Sequence, residues 1–339
     1  MIEAGRTWPA LLLWGSLPLA ILLSLALGRY PMPLAEVGHF VLAASGMETM
    51  EAERYQLLYN LIVNIRLPRV LAALLVGGAL AASGTAFQAV FRNPLVSPGL
   101  LGVLAGAAFG AALALLWSGP WWTVQALSFA MGLAAVAFGL SIAQWFGQSS
   151  LIMLVLGGVI SGALFTSLLS IVKYVADPYN QLPAIVYWLM GSLALADLHQ
   201  IAWLGPPMLL GILLLGRLGR ILDALAMGDD EARSLGVPVT AARYAVIAMA
   251  TLISALTVAI AGMIGWVGLI IPHIARLLVG SGNMRLLPVS TCLGGIFLLA
   301  ADGLARSVTT TELPIGIVTE LLGIPVFLLV LKRVRRGWL

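Results

Sequence analysis

Side chains able to do acid, base or electrostatic chemistry are rare in these 339 residues: 9% are charged, three are histidine and one is cysteine. Their densest gathering is residues 218–242, where Asp223, Asp229, Asp230 and Glu231 mix with Arg220 and Arg233, and Arg217 and Arg243 stand close by. Both signs packed this closely suit a folded, water-exposed segment that meets another protein. Residues 221–227 and 229–235 read as two short helices separated by Gly228, with Asp229 or Asp230 as N-cap and Gly236 and Pro238 as the stop; a solvated connecting loop is the competing reading. No Gly-x-x-x-x-Gly-Lys-Ser/Thr loop occurs, so the chain does not bind ATP through that motif.

Other ionisable groups sit singly against apolar runs. Arg69 reads as a side chain snorkelling at a helix end, and Arg306 lies one turn beyond Asp302, placed to pair with it. Glu320 follows Pro314 by about a turn and a half inside an apolar helix, where a carboxylate either lines a pathway or pairs with a neighbouring helix. His39, His199 and His273 are far apart, and His273 reads as a helix-end hydrogen-bond donor rather than a metal ligand. Cys292 is alone, which excludes an intrachain disulfide and a cysteine-based metal centre.

The rest of the chain must position these few groups, and it is 61% apolar with a mean hydropathy of +1.03. Soluble chains carry about 25% charged residues, so the solvent here is lipid. Apolar runs fall at residues 8–27, 70–90, 99–117, 121–146, 151–172, 198–216, 241–262, 268–279, 287–305 and 315–331. These predict an all-α polytopic membrane protein of about ten transmembrane helices, one domain over residues 1–339. The first run is read as an uncleaved span rather than a signal peptide. The eighth is too short to cross alone and follows a glycine-rich segment, as a broken or re-entrant helix would.

Ten spans put both termini on one side. That side takes eight loop arginines and the four basic tail residues Lys332, Arg333, Arg335 and Arg336, against six basic residues on the other, which predicts a cytoplasmic C-terminus. A pI near 9.5 reflects this membrane-facing tail and not nucleic-acid binding. Glycine and alanine saturate the spans, so the helices pack closely, and tryptophans mark their ends. Residues 72–84 and 250–262 echo each other, the hypothesis being an inverted repeat.

Gly228-Asp229-Asp230-Glu231-Ala232-Arg233-Ser234-Leu235-Gly236-Val237 resembles the coupling segment of FecCD-type permeases of ABC importers, which carry iron siderophores, haem or cobalamin. Ile65-Arg66-Leu67-Pro68-Arg69, Phe91-Arg92-Asn93-Pro94-Leu95, Gly268-Leu269-Ile270-Ile271-Pro272-His273, Ala301-Asp302-Gly303-Leu304-Ala305-Arg306 and Glu312-Leu313-Pro314-Ile315-Gly316 resemble other signatures of that family, in the same order over residues 60–331. The resemblance implies a cobalamin-permease-like homodimer in the cytoplasmic membrane of a bacterium or archaeon. Two ATPase subunits, which hold the ATP and magnesium, would grip residues 228–237; this chain would hold no cofactor and catalyse nothing. An external substrate-binding protein would dock through Arg66, Arg69 and Arg306, whose forks suit carboxylates. By the same resemblance a cytoplasmic gate falls near Ser149 and Ser150, which also suit a helix N-cap. Ferric siderophore or haem is the expected cargo, with cobalamin and molybdate as rivals. A cation-coupled secondary transporter using Glu320 is the expectation from another class.

Overall fold

The computed structural model describes residues 8–28, 30, 32–145 and 151–335, and no strand occurs among them. The helices are α1 (Trp8–Ala26), α2 (Leu34–Ala44), α3 (Ala52–Tyr59), α4 (Leu67–Val90), α5 (Val103–Leu116), α6 (Trp121–Trp145), α7 (Leu151–Val175), α8 (Gln181–Leu189), α9 (Leu198–Arg217), α10 (Gly219–Met227), α11 (Asp229–Ser234), α12 (Val239–Ala261), α13 (Val267–Val279), α14 (Asn283–Ser307) and α15 (Ile315–Arg335). A π-helical stretch, Asn60–Arg66, joins α3 to α4 without a break. Each of the ten apolar runs has its helix. Six segments are long and apolar enough to cross a bilayer: Ala52–Val90, α6, α7, α9, α12 and α14.

Helix α4 is the axis of the molecule. Every residue from Val76 to Val90 is buried, and α14, α12, α13 and α9 pack around it. Side chains this small let backbones touch where lipid gives helices no hydrophobic reason to associate. A methyl group on Gly77 would sit 2.2 Å from the carbonyl oxygen of Gly294 on α14, and one on Gly84 would sit 1.9 Å from that of Gly268 on α13. Ser254 of α12 adds a buried hydrogen bond to Ser83 of α4 at 3.1 Å. By contrast α6 and α7 bury only narrow stripes and turn most of their surface outward.

The expected break before the eighth span is real. Helix α12 stops at Ala261, Gly262 (φ +69°) and Trp266 (φ +68°) turn the chain, and α13 resumes for 13 residues. At 1.5 Å per residue that is about 20 Å, short of the ~30 Å hydrocarbon core. Helices α2 and α3 are additions to the sequence reading. Both are too polar or too short for a hydropathy window, and they close over a small separate core of Met32, Val37, Phe40, Leu58 and Ile62.

Candidate functional site

The charged segment folds as the two short helices α10 and α11. Helix α10 buries Leu222, Ala224 and Leu225, and its Asp223 accepts hydrogen bonds from the backbone N (2.7 Å) and Nδ2 (2.8 Å) of Asn283 at the start of α14. Gly228 then turns the chain at φ +145°, where a methyl group would lie 2.0 Å from the Glu231 carboxylate folded over it. The cap differs from expectation: α11 begins at Gly228 with no side-chain cap. Asp229 instead accepts from Arg243 Nη2 at 2.6 Å and lies 3.5 Å from Arg92 Nη2. The Arg243 hydrogen bond holds its carboxyl below the usual range, against an opposing effect of burial.

Pinned from beneath by Asp223 and Asp229, the segment presents Asp230, Glu231, Arg233 and Ser234 to solvent, with Ala232 buried. Asp230 and Arg233 pair on that surface at 2.8 Å. Met227 and Leu235 stand 64% and 62% exposed among these charges, an apolar pair on a polar face that a second protein would cover. Gly236, at φ +79°, ends the turn, and Val237 N returns to the Ala232 carbonyl at 3.0 Å.

Arg66 and Arg69 sit at the other end of α4, a helix about 36 Å long by its 24 residues. Here the sequence reading needs correcting: Arg66, Arg69 and Arg306, expected to face outward, are buried. Arg69 bridges Asp302 Oδ1 (Nε, 2.8 Å) and Glu312 Oε2 (Nη1, 2.9 Å) rather than snorkelling. Arg306 pairs with Asp302 Oδ2 at 3.0 Å, the partner its spacing suggested, and donates to Ser24 Oγ (3.1 Å) and the Leu27 carbonyl (3.2 Å). Arg66 donates to the carbonyls of Leu25, Ala26 and Tyr30. Two guanidinium groups thus satisfy the open carbonyls at the C-terminal end of α1, where helices leave acceptors unpaired and favour cations.

Glu320 lies five residues into α15 and is exposed. It lines a cavity of about 320 Å³ with Met190, Met263, Gly265 and Gly316. The α8 end, the loop after α12 and the α15 start meet there through backbone bonds: Ser192 N to Ala261 O (2.9 Å), Ile315 N to Gly191 O (3.1 Å) and Gly316 N to Met190 O (3.1 Å). Of the two roles considered for Glu320, pairing with a neighbouring helix finds no partner among the described residues. Ser149 and Ser150 lie outside the described residues.

A sequence profile of the FecCD transport family matches residues 16–333. The chain belongs to that family. A molybdate import system permease of Haemophilus influenzae is 37% identical over 333 residues, 98% of either chain. A hemin transport system permease of Yersinia pestis is 36% identical over 339 residues, again 98% of each. A solved metal-chelate type ABC transporter in an inward-facing conformation superposes with a TM-score of 0.83 at 36% identity, over 95% of this chain and 99% of that one. The chain is therefore an ABC importer permease and a multi-pass membrane protein, and permeases of this class work with an ATPase and a binding protein.

Within this FecCD permease, His273 donates from Nε2 to the Pro94 carbonyl at 2.9 Å and meets Phe327 edge-on; it makes the expected hydrogen bond, but from the middle of α13 and not from a helix end. Among the described residues no three His, Cys, Asp or Glu side chains gather to hold a metal ion. Three participants escaped the sequence reading: Arg92 and Arg243 as the anchors of Asp229, and Glu312 as the second carboxylate of the arginine cluster. The available signal was charge scarcity, since each lies beside a motif whose own charge needs a counter-ion.

Proposed function

We propose that two copies of this permease form the pathway of a cytoplasmic-membrane importer for a bulky metal chelate, ferric siderophore or haem, driven by two ATPase subunits. The α10–α11 platform carries the reading. Its outer face of Asp230, Glu231, Arg233, Met227 and Leu235 is exposed while its underside is tied to α12 and α14, so a push on that face is delivered to spans. The binding protein docks at the opposite end, whose mouth the Arg66–Arg69–Arg306 cluster shapes from within.

Glu320 bears on the cargo. A carboxylate is too costly to leave against lipid, so its face of α15 borders a water-filled pathway or the second copy. A negative pathway wall disfavours a small doubly charged oxyanion, in which the charge is concentrated, relative to a bulky chelate, which argues against molybdate; cobalamin is the nearer rival. Membership of an ABC permease family leaves the cation-coupled alternative without support.

The test is purification of the tagged chain from its native membrane, with mass spectrometry of copurifying proteins and metal analysis of the retained cargo. Recovery of an ATPase and an iron-loaded binding protein is expected. A preparation free of ATPase would overturn the proposal, and molybdenum or cobalt in place of iron would overturn the cargo. Reversing Glu231 and Arg233 together should leave insertion intact but uncouple ATP hydrolysis from uptake.

A further inference from the structure

At the platform end, a cavity of about 400 Å³ opens between the last turn of α4, α13 and the end of α15. Gln88, Arg92, Arg276 and Asn283 belong to its lining, and Leu277 and Val330 are part of its apolar remainder. Arg276 is the anomaly. Its guanidinium makes no hydrogen bond or ion pair with any described residue, and its Nη1 is fully buried. A buried cation without a counter-ion is costly, so the site calls for an anion.

Its neighbours extend the demand. Arg92, held at φ +51°, reaches Asp229 only at 3.5 Å, and that carboxylate already takes the shorter bond from Arg243. Arg92 thus has donors to spare. Asn283 Oδ1 and Gln88 Oε1 are buried acceptors without donors. The cavity lining therefore offers Arg276 and Arg92 to one ligand, beside an apolar surface.

We propose that the cavity takes an anionic phospholipid: its phosphate against Arg276 and Arg92, and its acyl chains leaving along Leu277 and Val330. A basic pocket between spans at a membrane face is suited to such headgroups. A free oxyanion shares the charge but would leave the apolar wall uncovered. Leu277 is 39% exposed, so the mouth opens beside apolar surface fit for lipid. Because Arg92 also touches Asp229, a bound phosphate would compete for the anchor of α11. That consequence rests on the platform being the ATPase contact; lipid binding does not.

The test is native mass spectrometry of the whole transporter, permease with its copurifying partners, from nanodiscs of phosphatidylcholine containing or lacking phosphatidylglycerol. Wild type should keep phosphatidylglycerol through delipidation, Arg276→Met should retain about tenfold less, as loss of a charge-assisted hydrogen bond predicts, and Arg276→Lys should retain most of it. Val330→Trp, which fills the cavity and leaves both guanidinium groups in place, should also expel the lipid and covers the case in which Arg276→Met does not fold. Retention at the wild-type level in both Arg276→Met and Val330→Trp would overturn the proposal. So would displacement of the lipid by inorganic phosphate, which would make the site one for a free anion. Retained lipid in a preparation that lacks an ATPase would keep this site and remove the importer reading.

Discussion

Asp302 is 1% exposed and stands between Arg69 and Arg306. Removing one member of such a buried group leaves the others uncompensated, which costs about 3–5 kcal/mol. Asp302→Leu should therefore lower the melting temperature of the detergent-solubilised permease sharply, and Arg306→Met added to it should recover part of the loss; additive loss in the double variant would exclude the coupling. At the platform, Asp229 has its folded pKa depressed by Arg243, so its contribution is present at neutral pH and disappears only as pH falls through that depressed value, under the ordinary 3.8. Proteolysis of residues 219–235 should stay flat from pH 7 to about 5 by that linkage. Arg243→Leu should make it fast throughout. Why the residue types were legible and their partners were not follows from distance along the chain: Arg306 and Asp302 are four apart, but Arg69 meets Asp302 across 233 positions.

Among the elements, packing follows from glycine placement. Gly77 has a backbone carbonyl 2.2 Å from where its methyl group would be, whereas Gly303, on α14, has nothing within 4 Å. Gly77→Ala should destabilise by about 1–3 kcal/mol through overpacking and Gly303→Ala should be neutral, read as thermal melting of the two variants side by side. Span positions were legible because crossing a bilayer takes about 20 apolar residues in a row, and the broken eighth span because glycines surround Met263, Ile264 and Trp266. Helices α2 and α3 were not, since a short helix covering a few apolar side chains leaves no such run. The inward turn of Arg66 was also illegible: its acceptors are backbone carbonyls of α1, which every residue possesses and no sequence marks.

For the whole molecule, the open question is what covers α15. Ile317, Leu321 and Ile324 are exposed beside Glu320. If two copies meet across this face, a single cysteine at Leu321, in a chain with Cys292→Ala, should crosslink copy to copy, and Trp122→Cys, 67% exposed on α6, should not. Crosslinking at both, or at neither, would place the dimer elsewhere. Glu320→Gln should raise uptake of anionic chelates relative to neutral ones while leaving ATPase assembly unchanged, measured as the ratio of the two cargoes in one vesicle preparation.

Helix α4, Leu67–Val90, has a buried middle and carries the arginine cluster at its head, while Arg92, two residues past its foot, makes the Asp229 contact. Events at the two ends then share a single stiff element, and neither can be tuned alone. If the platform is the ATPase contact, thermodynamic reciprocity sets the exchange rate: whatever factor the bound ATPase applies to affinity at the mouth, the occupied mouth returns to affinity for the ATPase.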